Sequence, residues 1–152
     1  DHPLLTTEMV HHFCTRAPHC GDVAVALARA ELVLGHYPQS SRTLLKFSDG
    51  ARCGCNMFAL NTAASRTAVS FWTRLENHRK RPWHLIRRLG AWSLLRYLTG
   101  FLSLTATLAV LSQKLGIDAQ SIEMPFAEAA IDIDKQADLK LVETIFHARQ
   151  SK

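Results

Sequence analysis

The chain has 152 residues, a length that suits one compact domain or a large part of one, and 47% of them are apolar against 20% charged. That balance excludes wholesale disorder and supplies enough apolar side chains for a core. The net charge of +5 is gathered in one block rather than spread, which argues against a protein that coats nucleic acid and for a local anionic partner.

The block runs from Arg74 to Arg96, with seven Lys or Arg residues against the single acid Glu76, whereas from Tyr97 onward seven acids face five bases. Four cysteines stand at 14, 20, 53 and 55 without the paired C-x-x-C spacing of a zinc ribbon. No secretory apolar segment opens the chain, so reduced thiols in a cytosolic protein are expected, some of them serving as small apolar residues. The abrupt start at Asp1, with no initiator Met, leads to the expectation that the sequence is cut from a longer one.

Thr6 can cap a helix through Glu8, Val10 and Cys14, with Glu8 placed where the helix dipole favours an anion. Asp22 to Ala28 is a continuous run of small apolar residues, the pattern of a strand buried on both faces. Gly35 to Ser41 reads as a loop, Arg42 to Phe47 as a strand, Ser48 to Gly50 as a tight turn and Arg52 to Leu60 as a second strand, so the two strands form a hairpin. Gly54 within a strand marks a bulge or a close backbone approach. Helical periodicity follows in Ala68, Trp72 and Leu75, and Trp72, Trp83 and Trp92 are expected to be core anchors. Pro82 opens a short helix that Gly90 ends, and Ser103 caps another, with Leu104, Leu108, Leu111 and Leu115 on one face and Gly116 at its end. Ala119 to Met124 and the short Ile131 to Asp134 read as strands. A last helix, about 136–149, is expected to bury Leu139, Val142 and Phe146. The apolar stretch Ala91 to Ser112 is long enough to span a bilayer, but Arg96, Gly100 and the amphipathic leucine stripe favour a helix lying at an interface.

Asp1 precedes a helix start, and Asp132 and Asp134 stand at a strand end before the last helix. In an open α/β sheet such positions lie at the carboxyl edge of the strands, where ligands bind. Two carboxylates there suit Mg²⁺ together with phosphate oxygens and water. By spacing alone, solvated acids and a helix cap explain them better than a metal site does.

The run Asp1-His-Pro-Leu-Leu-Thr resembles the "D-x-P-L-(L/V)-T" segment of MobA-like NTP transferases, Ile131 to Leu139 resembles their closing "D-I-D-T-P-E-D-L" element, and Gly54-Cys-Asn56-Met-Phe resembles their "G-x-N-x-F/G" strand. The three occur in the family's order. The resemblance implies a Rossmann-like (GT-A-type) α/β nucleotidyltransferase domain, its mixed sheet flanked by helices and its N-terminal part missing, with a basic and apolar helical insertion at about 63–116. It implies Mg²⁺ held by Asp1 and Asp134, with Asp132 as a second choice, and an NTP and a small-molecule acceptor as ligands, Gly54 and Asn56 lying beside the acceptor. Lys135 and Gln136 replace the family's Thr-Pro, and its Gly-rich phosphate loop is absent, so these residues alone are expected to turn over no nucleotide. Arg79 and Arg81, with Trp83 between further bases, are candidates for an anionic acceptor; the other reading of the block is a non-catalytic module that contacts anions or a membrane surface. No nucleic-acid-binding motif accompanies it.

Overall fold

The computed structural model describes residues 2–77 and 102–150, with side chains placed for 2–73 and 102–149. Asp1, Arg79, Arg81, the helix expected from Pro82, residues 91–101 of the apolar stretch and most of the basic block lie outside the described residues.

Thr6 opens the first helix as its neighbours predict. Its backbone is extended and its hydroxyl accepts the Met9 amide at 3.3 Å, leading into α1 (Thr7–Arg16), which buries Met9 and Phe13. A 3₁₀ turn at Ala17–His19 and the left-handed Gly21 redirect the chain into β1 (Val23–Arg29). Ala24, Ala26 and Ala28 on one face of β1 are at most 1% exposed, and Val23 and Leu27 on the other are 8% and 4% exposed, so both faces are covered, as a continuous apolar run requires. The helix α2 (Ala30–His36) follows at once and takes in the first two residues of the expected Gly35–Ser41 loop.

β2 (Arg52–Leu60) has the bounds its sequence predicts and pairs antiparallel with β1, while β3 (Ala119–Glu123) pairs parallel with β1 on the other side. The order β2-β1-β3 makes a small mixed sheet flanked by helices. Before β3 come α3 (Arg66–Asn77) and α4 (Leu104–Leu115). Ser103 caps α4 through the Ala106 amide, Asp49 in the Ser48–Gly50 turn accepts the Leu104 amide at 2.9 Å, and Gly116 at φ +65° ends the helix. After β3, a 3₁₀ turn at Ala127–Ala130 leads to α5 (Gln136–Gln150). Leu4, Met9, Val33, Met124 and Ile131 are wholly buried between sheet and helices, each burial contributing about 1.5–3 kcal/mol.

Four expectations are corrected. Arg42 to Phe47 is not a strand: the hairpin reduces to one bridge, Leu45 with Arg52, because Arg42 leaves the ladder to pair with acids across the molecule. Ile131 to Asp134 is extended at its start but has no ladder partner; Ile131 sinks into the core and Asp132 is taken up by side chains. The inward face of α5 carries Asp138, Leu141, Val142 and Ile145, while Leu139 and Phe146 are 38% and 39% exposed. Trp72 is no core anchor; it is 52% exposed and its ring lies tilted on that of Phe58 at 6.0 Å. No helix among the described residues is long and apolar enough to cross a membrane.

Two of the positive-φ glycines, Gly21 and Gly116, separate conformational strain from steric clash. A Cβ on Gly21 would lie 2.2 Å from the Asp118 carboxylate, whereas one on Gly116 meets open space. Gly116→Ala is expected to cost about 1 kcal/mol from backbone strain alone, and Gly21→Ala distinctly more, in the range of about 2–3 kcal/mol. Urea unfolding of both variants checks the order, and equal losses would contradict the clash.

Candidate functional site

A polar cleft of about 190 Å³ opens at the carboxyl end of β1, lined by Ser41, Arg42, Thr43, Cys53, Gly54, Asn56, Asp134, Lys135 and Asp138. Its position follows from the sheet register. Leu27 and Ala28, late in β1, pair with Gly54 and Cys53 early in β2, so the first half of β2 forms one wall. The start of α5 forms the other.

On the β2 side the register slips between Val25 and Leu27, so that Cys55, Asn56 and Met57 oppose the single residue Ala26. Such a bulge re-aims a side chain. Asn56 sits at φ +52°, the only non-glycine residue with positive φ among the described residues, and asparagine is among the side chains that tolerate this region best. Its amide Nδ2 donates to Asp132 Oδ2 at 2.7 Å. The expected irregularity at Gly54 thus falls one to three residues later. A Cβ on Gly54 would meet nothing within 4 Å, so this residue leaves the cleft wall open rather than relieving a clash.

Arg42 joins the two walls. Its Nη1 makes a close ion pair with Asp132 Oδ1, and its Nη2 lies 3.1 Å from Asp138 Oδ1. The three side chains are 9%, 16% and 4% exposed, so this is a largely desolvated triad of one cation and two anions. Asp138 is the third residue of α5 and reaches back to the helix start: its Oδ2 accepts the Lys135 amide at 2.9 Å and the Asp134 amide at 3.2 Å. This is the acidic half of a capping box. Burial by itself would push the Asp138 carboxyl up, but Arg42 and the two amides outweigh it and hold the group below its ordinary 3.8.

The acids expected to hold metal therefore differ in circumstance. Asp132 is committed to Arg42 and Asn56. Asp134 is exposed at the cleft, and its carboxylate has no hydrogen-bond or ion-pair partner among the described residues. Asp1, Arg79 and Arg81 lie outside the described residues. No group of three or more His, Cys, Asp or Glu residues converges to hold a metal ion among those described. The donor set at the cleft is one open carboxylate, which fits Mg²⁺ only if phosphate oxygens and water complete the shell.

Sequence reasoning passed over Arg42 and Asp138. Asp138 stands within the Ile131–Leu139 motif, three residues after the helix start, and that spacing is the signal that could have found it. Arg42 lies in a segment that reads as strand and carries no such mark. Two of the four cysteines do serve as core residues: Cys53 and Cys55 are free and buried, and burial raises both thiols, Cys55 to about 12, whereas Cys14 is exposed and Cys20 only partly covered.

A larger, shallower depression of about 470 Å³ lies between α1 and the end of β3. Its charged and ring groups are partly engaged nearby: His12 Nε2 donates to the Glu123 carbonyl at 3.1 Å, Arg16 to the His12 carbonyl at 3.0 Å, and the Glu123 carboxylate pairs with Arg29 at 2.9 Å. The smaller cleft is the better candidate site because an uncommitted charge opens into it.

No family model and no curated protein sequence matches this chain. Among solved structures it is similar to a hypothetical transferase from Thermus thermophilus, at 32% identity and a TM-score of 0.80. The match covers 91% of this chain and 60% of that protein, so the chain spans 60% of the length of its structural relative. Over the matched residues the two share a fold.

Removing the cation strands two buried carboxylates. Arg42→Met is expected to lower stability by about 3 kcal/mol, measured by urea unfolding at pH 7, and a loss below about 1 kcal/mol would mean that water screens the triad. The sign of the acid dependence also follows. Asp138 titrates lower in the native state than in the unfolded chain, so its contribution is complete above the ordinary value near 3.8 and is lost as the pH falls through the lower native one. Asp138→Asn is expected to flatten the acid limb of the stability–pH curve below about pH 4. A limb unchanged from wild type would assign the acid sensitivity elsewhere.

Proposed function

We infer that this chain belongs to a transferase and carries the acceptor side of a magnesium-dependent nucleotidyl-transfer site, the complete reaction moving a nucleoside monophosphate from an NTP to a small, phosphorylated acceptor with release of pyrophosphate. The observation that carries the reading is Asp134: an exposed, uncommitted carboxylate at the cleft by the carboxyl end of the central strand, on the motif that resembles the second metal position of MobA-like enzymes. The fold shared with a protein described as a hypothetical transferase supports the broader part of it.

In this reading Asp134, together with Asp1, would hold Mg²⁺, which supplies charge neutralisation for the phosphate oxygens as negative charge builds up. The chain's own side chains position the reactants. Gly54 lets an acceptor approach the β2 backbone, and Asn56 is held by Asp132 at the same wall. Lys135, beside Asp134 at the cleft, places an ammonium where an anionic acceptor can meet it. The catalytic contribution is orientation and fixed electrostatics rather than a covalent intermediate.

The test is pyrophosphate release by the intact gene product with each NTP in turn, with and without Mg²⁺. Asp134→Asn is expected to lower the Mg²⁺-dependent rate by about 10²-fold or more while leaving the unfolding midpoint within a few degrees of wild type. Turnover undiminished in this variant would remove Asp134 from the site.

A further inference from the structure

Arg42 makes no hydrogen bond or ion pair with the Asp134 carboxylate or the Asn56 amide, yet it holds the acids that bind the Asp134 main-chain amide and the Asn56 side chain. Its Nη1 pairs with Asp132, whose other oxygen accepts the Asn56 amide at 2.7 Å. Its Nη2 pairs at 3.1 Å with Asp138, whose other oxygen accepts the main-chain amides of Asp134 and Lys135. Each carboxylate thus spends one oxygen on the guanidinium and the other on the wall of the cleft that it steadies. A planar fork with fixed donor directions can bridge two acids in this way; an ammonium on a flexible stem cannot hold both at a set separation.

We propose that Arg42 is the positioning residue of the cleft, setting the backbone of Asp134 against the Asn56 bulge so that the Asp134 carboxylate is presented to a divalent cation at a fixed angle. The inference rests on the metal reading of Asp134 given above. It makes the Asp132–Arg42–Asp138 triad the outer support of the cation site and removes Asp132 from the ligands. Groups that orient metal ligands in this indirect way typically govern affinity by about 10–100-fold.

The experiment is Mn²⁺ binding to the intact gene product in the presence of a non-hydrolysable NTP analogue, followed by water-proton relaxation, with thermal unfolding recorded for every variant. Arg42→Lys keeps the positive charge and is expected to weaken Mn²⁺ about 10–100-fold. In the background of Asp134→Asn, the same change is expected to have almost no further effect, because Arg42 acts through Asp134. A purely structural role would lower the unfolding midpoint and leave Mn²⁺ affinity alone. If Arg42→Lys does not fold, Asp138→Asn, which keeps the side-chain shape and cuts one arm of the fork, is expected to weaken Mn²⁺ over the same range. Wild-type affinity in the folded variant, or losses that add fully to that of Asp134→Asn, would overturn the proposal. A wild-type protein that binds no Mn²⁺ beyond that held by the analogue, or Asp134→Asn binding as tightly as wild type, would instead remove the metal reading, and this inference with it.

Discussion

Burying a guanidinium between two carboxylates is a costly way to join three segments, because the ions lose water that their mutual attraction only partly replaces. Asp138 shows the balance: burial opposes its charge, and Arg42 with two main-chain amides restores it. What the triad provides is registration. Arg42 comes from the connection after α2, Asp132 from the chain after the core residue Ile131, and Asp138 from the first turn of α5. An apolar cluster could fill the same space but would not fix the angle at which these segments meet. The orientation of α5 follows directly. With Asp138 anchored inward, Leu141, Val142 and Ile145 fall at i+3, i+4 and i+7 and complete the buried face, while Leu139 and Phe146 rotate outward.

The sheet supplies the opposing surface. β1, covered on both faces, is the fixed reference; β3 continues it in parallel and β2 returns against it. The bulge in β2 places Asn56 in a left-handed conformation that costs on the order of 1 kcal/mol, and the strain persists because Cys53 and Cys55, both buried, anchor the strand just before it. Had β2 continued in register, residue 56 would have kept the period-two alternation and its amide would not have reached Asp132. Bulge and triad therefore form one device: the first turns Asn56 out of the ladder, and the second places its acceptor.

Local signals were legible in the sequence wherever a single residue decides a boundary. Thr6 and Ser103 cap their helices through the expected amides, Gly116 adopts the left-handed ending, and the apolar run from Asp22 marks the central strand. The misreadings share one cause. Hydropathy patterns carry no mark of a buried ion pair, so Arg42 read as part of a strand, Asp132 as the end of another, and Asp138 drew no reading at all. Each is instead turned inward by a partner 90 or more residues away or within one helical turn, and neither kind of pairing alters hydropathy period. Trp72 fails for the opposite reason: its size argued for burial, but it meets Phe58 on the surface of β2. The open acid of the site, Asp134, was reached through motif resemblance, whereas the residues that support it became visible only in three dimensions.

The electrostatics of the cleft then divide into a closed part and an open part. Arg42 is shared by two acids, so the triad carries a residual negative charge that faces inward and is partly met by the amides at the start of α5. At the mouth stand Asp134 and Lys135, adjacent in sequence and opposite in sign. A simple anion would find that mouth unfavourable, because the nearest guanidinium is already spent; a bare cation would find one carboxylate and a competing ammonium. A ligand that brings cation and phosphate together matches both, the metal toward Asp134 and the anionic oxygens toward Lys135. On the proposed reading, this is why the site needs no cage of acids. On that reading the described residues would contribute one fixed carboxylate, Asp134, held at its angle by charges that do not touch the ligand, and the ligand with Asp1 would complete the coordination.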